Sequence, residues 1–188
     1  MKYFFCFILS FQFLLISAQE QELGLLKADT SWVKEIITFP IEWVPELTLT
    51  GYEDLRFAPG RKDPKHENFW SLAMAWEVQV KQPLSLEQIE QNITYYFDGL
   101  MKPNHWATEF PAPLLQLQQD SESQSTFAFK GTLKLFDGFY TGKVIVLNIK
   151  GESKFNDGSG TQIIVLRYSP QAFDHSIWQA LERITTLE

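Results

Sequence analysis

The stretch Trp70-Ser71-Leu72-Ala73-Met74-Ala75-Trp76-Glu77-Val78-Gln79-Val80 decides the fold. Its even positions, from Trp70 to Val80, are all apolar, and its odd positions are small or polar. Side chains along a β-strand alternate between faces, so a period of two reads as a strand with one bulky and one small face. The bulky face turns to a core. The small face, carrying Ser71, Ala73 and Ala75, admits close approach by a helix, a partner or a ligand.

Working outward, Val33 to Phe39 reads as a first strand closed by Pro40. From Leu47 a second alternation sets Leu47, Leu49, Leu55 and Phe57 against Thr48, Thr50, Tyr52, Asp54 and Arg56, with a bulge expected at Gly51. Residues 58–68, with two prolines, a glycine and mixed charges, read as an exposed loop. Ser85-Leu86-Glu87-Gln88 has the form of a capping box. Leu86, Ile89, Ile93, Tyr96, Phe97 and Leu100 follow at spacings of three and four, which gives an amphipathic helix ending near residues 99–103. Residues 104–125 read as loop, with room for a short helix around 113–119. Strands follow at 126–136, 143–150 and 161–168, the first two joined by a turn at Asp137-Gly138. Ser169-Pro170 reads as the start of a terminal helix with Ile177, Trp178, Leu181, Ile184 and Leu187 as its apolar stripe. The expected fold is therefore α+β: an antiparallel sheet of about six strands packed by two helices, in the order βββαβββα, with the helices on one face.

Met1 to Ala18 has Lys2 at its start, a short apolar run and the small pair Ser17-Ala18 at its exit. Those are the parts of a secretory signal peptide, and the run is shorter than the roughly 20 apolar residues a membrane span needs. The expected organisation is a leader over 1–18 and one α+β domain over 19–188, exported to a periplasmic or extracellular space, with no membrane span once the leader is cut. Cleavage would also remove Cys6, leaving a cysteine-free product without disulfide or thiolate chemistry. The length of 188 residues suits one domain with its own core. A net charge of −7 argues against a nucleic-acid partner, which demands basic excess.

The segment Tyr52-Glu53-Asp54-Leu55-Arg56-Phe57-Ala58-Pro59-Gly60, with Phe69-Trp70, Ser169-Pro170 and Ile177-Trp178, resembles an exported bacterial family of unassigned function. The resemblance implies no activity.

Motifs for catalysis are scarce. The chain has no G-x-S-x-G elbow, Walker A loop, G-x-G-x-x-G turn or H-E-x-x-H pair. His66, His105 and His175 have the ligand types of a three-histidine zinc site, but nothing in their spacing joins them. Glu53, Asp54, Glu77 and Asp98 supply carboxylates for an acid and base pair, which needs environments that push two pKa values apart. Asn156 to Gly160 lacks the later ligands of a calcium loop and reads as a turn.

Alternation puts Arg56, Lys130, Lys134 and Arg167 on one sheet face with Tyr52, where an anionic small ligand would find complementary charge. The alternative is a wetted face whose cations meet cross-strand acids. Trp43 and Trp106 fall in loop-like segments and read as anchors for a partner protein or carbohydrate. These seven residues form the candidate binding set, and no catalytic residue, metal ligand or cofactor is assigned. The leading expectation is an exported soluble domain that binds a partner protein or a small ligand without catalysis. The alternative is a hydrolase or metal-dependent enzyme using histidines with nearby carboxylates.

Overall fold

The computed structural model describes residues 24–102, 110–123 and 126–187. The leader with Cys6, together with His105 and Trp106, lies outside the described residues. The expectation of a cysteine-free chain is corrected by the chain itself, which contains one cysteine, Cys6.

The elements in chain order are β1 (Leu26–Lys27), β2 (Val33–Phe39), β3 (Gly51–Phe57), β4 (Leu72–Gln79), α1 (Leu86–Met101), β5 (Leu114–Ser123), β6 (Thr126–Asp137), β7 (Lys143–Asn156), β8 (Thr161–Ser169), α2 (Ile177–Glu182) and β9 (Thr185–Thr186). Seven of these strands form one antiparallel sheet in the order β2-β3-β4-β8-β7-β6-β5, and β1 pairs with β9 in a separate ladder. The α+β class holds. The sheet gains β5, which had read as loop. It is an edge strand whose exposed Gln116 and Gln118 alternate with buried Leu115 and half-buried Leu117, and whose register shifts between Gln119 and Ser121. That shift breaks the period of two. No register shift occurs at Gly51; its φ of 142° instead lets β3 lie so close to β4 that a Cβ would sit 1.9 Å from the Glu77 carbonyl oxygen.

Two cores form, one on each side of the sheet, so the helices do not share a face. Trp70, Leu72, Met74, Trp76 and Val78 pack with Ile89, Ile93, Tyr96 and Phe97 of α1. Ala73 and Ala75 pack with Ile177, Trp178 and Leu181 of α2 and with Leu25 and Leu26. Strand periodicity shows which side chains share a face, not on which side a helix will cross. The small face of β4 is what admits α2 and the N-terminal segment. Trp76, Met74, Ile93 and Phe97 are almost wholly removed from water, each burial stabilising by about 1.5–3 kcal/mol.

The capping box at the start of α1 is present in both halves. The Gln88 N–H donates to Ser85 Oγ at 3.3 Å, and the Ser85 N–H to Gln88 Oε1 at 2.9 Å. Near the other end, Gly99 permits the 41–47 segment to lie on the helix, since a Cβ there would come within 2.7 Å of the Trp43 carbonyl oxygen. The terminal helix begins at Ile177, later than Ser169-Pro170 suggested. Ser169 ends β8 instead, its hydroxyl 2.9 Å from that of Ser71, the residue before β4. No helix among the described residues is long and apolar enough to cross a membrane.

Candidate functional site

The register carries Lys34, Arg56, Ala73, Arg167, Lys150, Lys130 and Gln118 in one row across all seven strands. Three of the four candidate cations therefore lie in line, and Lys134 is exposed four residues along β6 from Lys130. Their charges are engaged by the chain itself where the row is covered. Arg56 pairs with buried Asp54 and donates to the Leu26 carbonyl at 2.8 Å. Arg167 donates to the Leu181 and Ile184 carbonyls at 3.0 and 2.9 Å and pairs with Glu152 at 3.1 Å, holding the end of α2. Lys130 pairs with Asp120 at 2.7 Å on the surface. Tyr52 is half-buried on the same side, and burial, with Glu77 and Asp54 nearby, raises its phenol above the ordinary value.

The carboxylates separate. Glu53 and Asp54 are neighbours on β3 and so point to opposite faces, which prevents an acid and base pair between them. Asp98 pairs with Lys102 one helical turn on. Glu53 lies wholly buried under α1, and burial pushes its carboxyl up to about 8. The Tyr96 hydroxyl and Trp76 indole favour the anion, yet no aligned hydrogen bond reaches either Glu53 oxygen. His66 and His175 each spend Nδ1 on a backbone N–H, from Asn68 at 3.0 Å and from Ile177 at 3.2 Å. Among the described residues no three His, Cys, Asp or Glu side chains gather as metal ligands do.

A cavity of about 480 Å³ opens at one end of the sheet on the α1 side, and seven of its fourteen lining residues are aromatic. The floor is Ile37, Leu55, Phe57, Leu72 and Met74 from β2, β3 and β4; the wall is Tyr96, Phe97 and Leu100 from α1. Three connections supply the rim. Trp43 comes from the β2–β3 segment held against Gly99, and its ring meets Tyr96 edge-on at 5.4 Å. Arg61 and Trp70 come from the β3–β4 loop, and the Trp70 N–H donates to the Arg61 carbonyl at 3.1 Å. Phe139 and Tyr140 come from the β6–β7 turn and sit 6.2 and 5.9 Å from the Trp70 ring. Glu35 on edge strand β2 stands at the opposite side from that turn's strands.

Buried Asp137 builds the turn. Its carboxylate accepts from the N–H groups of Phe139, Tyr140 and Thr141 at 3.1, 3.2 and 2.9 Å, and from the Thr141 hydroxyl at 2.7 Å. Asp137→Ala is expected to lower stability by about 1–3 kcal/mol, because these donors lose their acceptor together. Hydrogen exchange of amides 138–142 checks it; unchanged protection there would show that the turn holds without the carboxylate.

Of the candidate binding set, Trp43 lines this cavity, and the rest of the described members lie elsewhere. Sequence reading missed Arg61, Phe139 and Tyr140, which sit in loop and turn segments, and took Trp70 only as core. One signal was present: Trp70 is followed by a strand but preceded by a polar loop, so its ring stands at the edge of the sheet. No family model matches the chain, and no curated protein or solved structure matches it.

Proposed function

We propose that the protein is an exported binding module that takes an apolar small molecule into the aromatic cavity and releases it unchanged. The observation that supports this reading most is the cavity's make-up: a volume of about 480 Å³, an apolar floor of strand residues and a rim rich in aromatic rings. That combination matches small-molecule sites generally, where burial of apolar surface drives affinity and a few polar groups orient the ligand. Among the described lining residues Glu35 is a carboxylate with no histidine beside it in the lining, which favours binding over hydrolysis.

The neutral dye N-phenyl-1-naphthylamine tests the reading. A saturable fluorescence rise with one site per chain is expected, with a Kd in the micromolar range, and Trp43→Ala should weaken it by about fivefold or more through lost ring contact. A dye that stays dark at all protein concentrations counts against the cavity as a site.

A further inference from the structure

We propose that the cavity selects a monoanionic molecule with an apolar body, its carboxylate or equivalent head held by the Arg61 guanidinium and the Trp70 indole N–H. The inference rests on the ligand-binding reading above and adds the chemical class of the ligand.

Two donors at the rim lack acceptors. Trp70 is 6% exposed, and its Nε1 has no hydrogen-bond partner. Leaving a buried indole N–H unpaired costs stability, so a ligand oxygen arriving there recovers that loss. The Nε of Arg61 is likewise buried and unpartnered. Its guanidinium lies 3.7 Å over the Phe57 ring, and among the described residues no carboxylate pairs with it. A guanidinium resting on an aromatic face keeps its N–H edge free for a planar oxyanion.

The backbone fixes these donors together. The Trp70 N–H to Arg61 carbonyl bond brings the two positions side by side, so both side chains leave the loop at the same part of the rim. Trp70 also has φ of 51°, a left-handed conformation that a bulky residue adopts only at a cost. Strain of this kind persists where the surroundings hold it, and here its result is an indole lining the cavity.

Charge limits the ligand to one anionic group. Glu35 lines the same cavity from edge strand β2, and the chain carries a net charge of −7. A second negative charge at the far end of a ligand would meet both.

Three molecules of equal chain length make the test: octanoate, octan-1-ol and octanedioate, each displacing the neutral dye at pH 7. Octanoate is expected to bind about tenfold tighter than octan-1-ol or better, as a charge-assisted pair allows, and octanedioate more weakly than octanoate. Arg61→Gln should erase the octanoate advantage over octan-1-ol, and Arg61→Lys should restore part of it. The Trp70 indole N–H resonance should move with octanoate and stay with octan-1-ol. Equal binding of octanoate and octan-1-ol by wild-type protein that still takes the dye overturns the head-group assignment and leaves the cavity standing. Failure of the dye and of all three molecules overturns the ligand-binding reading itself. An Arg61→Gln protein of unchanged circular dichroism that loses the alcohol as well as the acid shows Arg61 shaping the cavity, and the assignment falls.

Discussion

Replacement of Asp54 by alanine is expected to lower the unfolding free energy by about 3–5 kcal/mol, a large fraction of what a domain of this size possesses. Asp54 is wholly buried, and its Oδ2 accepts from the Leu25 and Leu26 N–H groups at 2.7 and 2.9 Å. Both carboxylate oxygens also face the Arg56 guanidinium, which is 7% exposed and holds the Leu26 carbonyl. Alanine leaves that guanidinium in the interior without a counter-charge and frees the N-terminal segment from β3. Removing one member of a buried pair costs far more than removing both. The double variant Asp54→Leu/Arg56→Met should therefore recover part of the loss. Urea unfolding of the three proteins checks this; a single variant as stable as wild type would mean that the segment is held by its apolar contacts alone.

Glu53→Gln is expected to stabilise the protein, and increasingly so as pH rises. In the unfolded chain the carboxyl titrates near 4.5; in the fold it titrates at about 8. Below pH 4.5 it is protonated in both states and folding carries no penalty from it. Between the two values the unfolded chain gives up its proton while the folded one keeps it, which lowers stability by about 1.4 kcal/mol per pH unit. Above about 8 the loss is complete and amounts to at most about 5 kcal/mol. Glutamine keeps the shape of the neutral acid and does not titrate. Stability of the two proteins should agree within about 1 kcal/mol at pH 5 and diverge by several at pH 8.5. Parallel pH profiles would show that the buried carboxyl reaches water or a cation in the fold.

The interior was legible where one physical signal dominated. Alternation from Trp70 to Val80 placed the bulky residues in one core and marked the small ones as a surface of close approach, and the chain uses that surface for α2. The capping box announced α1, and the strand read over Val33–Phe39, closed by Pro40, has those bounds in the fold. Strand β5 was masked because its outward residues are glutamines and its period breaks at the bulge, so polar composition outweighed the Leu115 and Leu117 alternation. The cavity was harder still. Its rim is assembled from three connections far apart in the chain, and only their tertiary approach brings Phe139 and Tyr140 to Trp70. Alternation put Arg56, Lys130, Lys134 and Arg167 on one face but gave no hint that Arg56 and Arg167 would be roofed by the chain's own two end segments.

The two-rung ladder of β1 and β9 pairs Leu26 with Thr186 and Lys27 with Thr185. A pull on either end of the described chain therefore loads the same few bonds first, in the manner of a zipper and not of a shear clamp. Once those rungs part, Asp54 with Arg56 still holds one end and Arg167 the other. Tension would strip the roof from the small face of β4 before it reached the large sheet, so the cavity on the other side would keep its shape longest.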